Sequence, residues 1–220
     1  MSTETLEAPV VKKKEALLSK RRKKFVTDPL NDDNPVTVQV LGICSALAVT
    51  TQMKPTFIMA VSVIFVLIAS NLTISLMRNL VPGRIRIIVQ LAVVATLVTL
   101  VSEVLKAYSY DMYKTLSVFI GLIITNCIVM GRLEAFALGN KPYDSVLDGL
   151  GSGLGYSWII LAVAFFREIL GSGKVFGYAL FDEMGIDFTT NGLMVTPVGA
   201  FIVLGFIIWV QRTKTGYVEH

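Results

Sequence analysis

From Pro35 onward the chain is a series of long apolar runs, approximately 36–52, 56–77, 85–105, 116–138, 146–170 and 196–211, divided by short polar or helix-breaking stretches. About 20 apolar residues in a helix cross a ~30 Å hydrocarbon core. Backbone amides in lipid must find partners inside the segment, and these runs are too long and too uniform for the alternating pattern of a barrel strand. The pattern therefore predicts an all-α integral membrane protein of six transmembrane helices. The separators are ordinary breakers: Lys54-Pro55, Pro82-Gly83-Arg84, the stretch Tyr108 to Lys114, Gly139 to Pro142, and a longer loop from about Gly171 to Asn191. Residues 1–34 read differently. They are polar and charged around KKKEALLSKRRKK and form a solvated basic tail. Leu17 and Leu18 do not make the apolar core of a signal peptide.

Composition sharpens this picture. The chain is 54% apolar and 16% charged, with a mean hydropathy of +0.67, whereas a soluble domain carries about 25% charged residues. A soluble enzyme is excluded, as are disorder and a scaffold held by several disulfides, because there are only two cysteines. The net charge of +4 is concentrated in Lys12–Lys14 and Lys20–Lys24. Counted on alternate sides of six crossings, with the N-terminus inside, fifteen Lys and Arg fall inside and five outside. Both termini are thus expected in the cytoplasm. The basic tail then serves orientation and contact with anionic lipid, not nucleic-acid binding. The expected organisation is a cytoplasmic tail over 1–34, a membrane domain over 35–212 and a cytoplasmic tail over 213–220.

The membrane domain contains a weak, ordered repeat, about 35–107 and 115–212. Leu-Met-Arg-Asn-Leu-Val (76–81) resembles Phe-Phe-Arg-Glu-Ile-Leu (165–170), which superposes Arg78 on Arg167 at an offset of 89, and Cys44 precedes Cys127 by 83. With three helices in each half, the second half enters from the opposite side, so the repeats are inverted. Such halves are related by an axis in the membrane plane that brings matching positions of the first and fourth helices together near the bilayer centre. The only two cysteines lie there. The first segment is short, and the fourth is interrupted by Gly131-Arg132-Leu133-Glu134, so both count as short or broken helices of the kind that mark sites in matching positions.

Two facing thiols admit three chemistries: a disulfide, a metal, or a redox cluster. They also admit none, as small hydrophobes packed between helices. A tetrahedral zinc or an iron-sulfur centre wants four soft ligands, and the chain offers two cysteines and one histidine, His220 at its end. Such a site would have to be shared with another chain. Ser45, Thr125 and Asn126 adjoin the cysteines and could donate hydrogen bonds around a negative centre, or simply bond between helices.

Other features are set aside. Gly149, Gly151, Gly153 and Gly155 follow no strand and read as close helix packing, not as a dinucleotide loop. Gly171-Ser-Gly-Lys174 lacks the first glycine of a phosphate loop, since Glu168 stands in its place. Glu103, Asp111, Arg132, Glu134, Arg167 and Glu168 fall near expected membrane ends, where snorkelling or local pairing accounts for them. Of these, Arg132 and Glu134, beside the expected break, keep a functional reading.

The wording around the cysteines is specific. Asn34-Pro35, Gln39-Val-Leu-Gly-Ile-Cys44-Ser-Ala-Leu-Ala-Val-Thr50 and Phe119-Ile-Gly-Leu-Ile-Ile-Thr-Asn-Cys127-Ile-Val-Met-Gly-Arg-Leu-Glu-Ala-Phe136 closely resemble the NqrD/RnfE family, whose NqrD members belong to the bacterial Na+-translocating NADH:quinone reductase, the Nqr complex. The resemblance runs from about Asn34 to Arg212 and includes Gly149–Gly155 and Phe166–Lys174. RnfE of the related Rnf complex is a homologue, and Ile207-Ile-Trp-Val-Gln-Arg212 is closer to the Nqr version.

That resemblance implies a component of a six-subunit complex of the bacterial inner membrane that oxidises NADH, reduces ubiquinone and pumps Na+. It implies a homologous partner of opposite orientation, NqrE, together with NqrA, NqrB, NqrC and NqrF. Carried over by motif, Cys44 and Cys127 would supply half the ligands of a [2Fe-2S] cluster shared with NqrE. Electrons would pass one at a time from the cytoplasmic flavin and ferredoxin subunit toward a flavin on the far side. Ser45, Thr125 and Asn126 would surround the cluster, and no residue of this chain would be catalytic. No Ser/Asp-Gly-Ala-Thr attachment motif occurs, so a covalent flavin on this chain is not expected. The competing readings are an RnfE-type component of an Rnf complex, a secondary transporter built on inverted repeats, and a structural subunit with inert cysteines.

Overall fold

The computed structural model describes residues 27, 29, 34–175, 178–179 and 192–215. The basic cluster at 12–24, most of the loop at 176–191 and the last five residues, His220 included, lie outside the described residues. Eight α-helices are labelled here: α1 (Ile43–Val49), α2 (Met53–Met77), α3 (Arg86–Tyr108), α4 (Tyr110–Ile124), α5 (Cys127–Arg132), α6 (Pro142–Ser172), α7 (Gly192–Val195) and α8 (Pro197–Thr215). A π-helical turn, Leu133–Ala137, continues α5, and strands β1 (Lys174–Val175) and β2 (Tyr178–Ala179) pair antiparallel after α6.

Four stretches, Met53–Met77, Arg86–Tyr108, Ser117–Ala137 and Pro142–Gly171, are long and apolar enough to cross a membrane, and Pro197–Thr213 is a shorter apolar helix. The first expected span is largely not a helix: residues 34–42 form turns and only the seven residues of α1 are helical. Pro35 opens this irregular stretch, and Val40 and Gly42 take left-handed conformations at φ 58° and 80° that no helix accommodates. The fourth span is broken at Thr125-Asn126, whereas at Gly131–Glu134 the chain stays helical and passes from α to π geometry at Leu133. Those four residues are helical, because their charges are paired: Arg132 donates to Asp148, and Glu134 accepts from Arg86 and Gln90. The expected separator at 108–114 is helical too, apart from Ser109 between α3 and α4.

The core lies between α2 and α6. Met59, Val63, Val66, Leu67 and Ile74 form a buried stripe on α2 at three- and four-residue spacing, facing Tyr156, Ile159, Ile160 and Val163 of α6. Glycine allows the approach. A Cβ on Gly149 would stand 2.8 Å from Asn71 Nδ2 and 3.3 Å from the Leu67 carbonyl, and one on Gly153 would stand 3.1 Å from Ile64 Cγ1. Asn71 Nδ2 donates to the Ser145 carbonyl across the same seam. Outward faces carry Phe57, Phe65, Leu76, Ile87, Ile88 and Phe206, all exposed in the single chain, as a lipid- or subunit-facing surface requires. Hydroxyls on the helices turn back to carbonyls four residues earlier, as in Thr50 to Ala46, Ser62 to Ile58 and Thr73 to Ala69. Buried Asn34 anchors the entrance: its Oδ1 accepts from Val36 N, and its Nδ2 donates to the Gly155 carbonyl of α6.

Candidate functional site

Each cysteine stands at the start of a short helix that follows a break in the chain. Gly42, in a left-handed conformation, turns the backbone into α1, which places Cys44 in its first turn. On the other side α4 ends at Thr125, and Asn126 takes an extended conformation. The Asn126 side chain then caps α5, with Oδ1 accepting from Ile128 N at 3.3 Å, so Cys127 becomes the first helical residue. Asparagine suits this position because its short side chain replaces the missing acceptor of the first turn.

Both thiols are free and exposed, and both line one small cleft of about 40 Å³ with Gly42, Ser45, Leu122, Thr125 and Asn126. Thus Cys44, Ser45, Thr125, Asn126 and Cys127, singled out from sequence, come together although Cys44 and Cys127 are 83 positions apart. Their side chains are not equivalent. Thr125 is exposed, whereas Ser45 is buried and bonded away from the cleft mouth, to the Gly42 carbonyl at 2.9 Å and the Tyr156 hydroxyl at 2.7 Å. Asn126 uses its oxygen as the cap, and its buried amide lies against the Tyr156 hydroxyl.

Tyr156 was not legible as a site residue. It rises from α6, is fully buried, and forms the floor on which the two helix starts rest. A Cβ on Gly42 would come within 3.0 Å of Tyr156 Cε2 and 3.4 Å of Asn126 Oδ1, so Gly42, Tyr156 and Asn126 are in close contact. Leu41 reaches over to α5, where its Cδ1 would lie 3.1 Å from a Cβ on Gly131. The aromatic ring and the two glycines thus fix where each thiol-bearing helix begins.

Arg167 lies four residues from the end of its apolar span, as expected, and local bonds hold it there. It does not snorkel but is 2% exposed, donating to Leu47 O, Thr50 Oγ1, Met194 O, Val195 O and Thr196 O. Glu168 beside it is buried and accepts from Met53 N at the start of α2. In the first half, Arg78 donates to the Asn140 carbonyl at 2.7 Å, beyond the π turn that continues α5. The sequence signal for these arginines was their common offset, 89, which also separates the first residues of α2 and α6.

The donor set limits the chemistry. Two exposed thiols on one cleft suit a soft metal or a cluster, and the Asn126 amide beside them is a donor group of the kind that offsets negative charge there. Among the described residues no three His, Cys, Asp or Glu gather to hold a metal ion. A four-ligand centre at this cleft would therefore draw two ligands from outside the described residues.

Comparison with known proteins gives a consistent result. Residues 22–208 match the family described as "Rnf-Nqr subunit, membrane protein". A Pasteurella multocida protein named as the D subunit of Na(+)-translocating NADH-quinone reductase is 53% identical over 204 residues, covering 91% of this chain and 98% of the relative. Proteins of the same name from Haemophilus ducreyi and Haemophilus influenzae are each 52% identical over 193 residues, covering 87% of this chain and 93% of theirs.

Proposed function

The chain belongs to the Rnf-Nqr family of membrane subunits, and on that footing we propose that it serves as the D-type subunit of a Na+-translocating NADH:quinone reductase in the bacterial inner membrane. Within that complex its role is electron carriage. Cys44 and Cys127 provide two thiolate ligands to a [2Fe-2S] cluster, and the homologous NqrE provides the other two. When bound, such a cluster supplies a one-electron carrier between donors and acceptors on the two sides of the membrane. The observation that supports this most is the meeting of both exposed thiols on one cleft, each at the start of a short helix.

The chain's own residues prepare that site. Gly42 and Asn126 turn the backbone so that both cysteines face the cleft, and Tyr156 braces Ser45 beneath it. Leu122 is the one aliphatic side chain on the cleft, beside Ser45, Thr125 and Asn126. The plan we infer is two inverted repeats, with α1 and α5 as matched half-helices. The common offset of 89 supports it, as do the two offset arginines, Arg78 bonding the Asn140 carbonyl beyond the π turn that continues α5 and Arg167 the end of α1. The Lys and Arg distribution supports cytoplasmic termini. The relatives' names favour the Nqr complex over the Rnf complex and over a secondary transporter.

Genetic replacement tests the assignment. Membranes from the host lacking this gene should lose Na+-stimulated NADH:quinone reductase activity, and the wild-type gene should restore it. Cys44→Ala and Cys127→Ala should not. Full restoration by either cysteine variant would contradict the proposed role.

A further inference from the structure

We propose that Arg167 is the positioning residue that fixes the Cys44 half-helix to the start of the last helix, so that the place of the thiol is set jointly by α1 and the segment Gly192–Thr196. The importance of that position rests on the reading of Cys44 as a ligand; the mechanical claim does not.

A guanidinium has five N–H donors, and all five of Arg167's are used: Nε to Met194 O at 3.2 Å, Nη1 to Leu47 O at 3.2 Å and Thr50 Oγ1 at 2.7 Å, Nη2 to Val195 O at 2.8 Å and Thr196 O at 3.3 Å. The acceptors come from two segments that are otherwise far apart in sequence, the end of α1 and the end of α7. Helix ends leave carbonyls without intrahelical partners. At α1, Thr50 Oγ1 serves Ala46 O, Thr51 N serves Val49 O, and Arg167 takes Leu47 O between them. At α7, Thr196 Oγ1 serves Leu193 O, and Arg167 takes the next three carbonyls. One buried cation thus closes two helix ends at once.

A helix of seven residues has no lasting position of its own, because nucleation outweighs so few internal bonds. Its place depends on what holds its ends. The α7 end is itself wedged: a Cβ on Gly199 would stand 2.6 Å from Met194 Cα, and one on Gly171 would stand 3.1 Å from Val195 Cγ2. Movement of the α7–α8 junction must therefore reach α1 through Arg167. Lysine cannot substitute, since it offers three donors from a single point and cannot fork to both segments.

The two cysteines are the only ones in the chain, so they report on this directly. The full-length chain, purified and placed in lipid nanodiscs, is labelled with nitroxides at Cys44 and Cys127, and their dipolar coupling is measured by EPR. Wild type should give one well-defined separation. Arg167→Lys and, independently, Gly199→Ala should lose it and give a broad distribution, while Gly83→Ala, whose added methyl meets nothing within 4 Å, should keep it. Helical content by circular dichroism monitors folding, and if Arg167→Lys does not fold, Gly199→Ala decides. An unchanged separation in a folded Arg167→Lys or Gly199→Ala chain overturns the proposal. Iron measured separately on the intact complex tests the ligand role alone, so the two claims fail independently.

Discussion

Tyr156 and Arg167 lie on the same face of α6, eleven residues or about three turns apart, and take hold of α1 at its two ends. Tyr156 meets Ser45 near the start of α1, and Arg167 meets Leu47 and Thr50 at its finish. The 31-residue α6, the longest helix among the described residues, thus acts as a rail for the seven-residue α1. Cys44 inherits its position from that rail.

The upper grip is testable by removing a single oxygen. Tyr156→Phe deletes the bond to Ser45 but leaves Ser45 bonded to the Gly42 carbonyl. The expected loss is ~1 kcal/mol, seen as a fall of roughly 2–4 °C in the thermal midpoint of the purified chain. Tyr156→Ala should cost about 3–5 kcal/mol, because it also empties a fully buried ring site. Equal losses for the two variants would show that the hydroxyl alone accounts for the role of Tyr156.

Gly42 combines a left-handed backbone at φ 80° with contact against Tyr156. Gly42→Ala should therefore destabilise by at least ~1–2 kcal/mol from backbone strain, before any displacement of the ring is counted. Gly83→Ala is the control, since nothing lies within 4 Å of its added methyl. Thermal melts of both variants check the contrast. Similar stability for the two would contradict the account of the Cys44 turn.

The second thiol-bearing segment is held by an ion pair. Arg132 donates from two nitrogens to both oxygens of Asp148, whose side chain is only 2% exposed. Breaking a buried pair from one side leaves an uncompensated charge and costs about 3–5 kcal/mol. Arg132→Ala and Asp148→Ala should each strongly reduce the stability of the purified chain, and the double variant should lose less than the sum. A double-mutant cycle in thermal stability measures this. Strict additivity would mean that the two side chains do not depend on each other.

Glycine placement gives two opposite expectations. Gly149→Ala pushes a methyl against Asn71 and the Leu67 backbone and should loosen the α2–α6 seam. Gly121→Ala, exposed on α4 with open space around it, should instead stabilise by roughly 0.5–1 kcal/mol, through helix propensity. Opposite shifts in thermal midpoint are predicted, and a gain at Gly149 would overturn the packing argument.

Much of the architecture was legible because hydropathy and breakers report directly on membrane helices. The glycine row at 149–155 reads as close packing on sequence grounds, and its contacts with Asn71 and Ile64 bear this out. The break in the fourth span was misplaced for a physical reason. Arg132 and Glu134 look disruptive in an apolar run until their partners Asp148, Arg86 and Gln90 are known, and those partners are distant in sequence. The actual break depends on one cap, Asn126, whose residue type is equally at home in a loop. Tyr156 and Arg167 were hidden likewise: hydropathy describes how a residue suits lipid, not which helix end it closes. Cys44 and Cys127 stood out because scarce, chemically distinctive residues carry information that apolar ones do not, and the structure brings the two to one cleft.

The ligand role of the two thiols is tested most directly on the purified, detergent-solubilised complex. Iron, labile sulfide and the reduced-state EPR spectrum are compared between wild type and Cys44→Ala, with subunit content checked on the same samples. The account predicts loss of about two irons and of one [2Fe-2S] signal from a complex that still assembles. Unchanged iron and an unchanged spectrum in the assembled Cys44→Ala complex would contradict it.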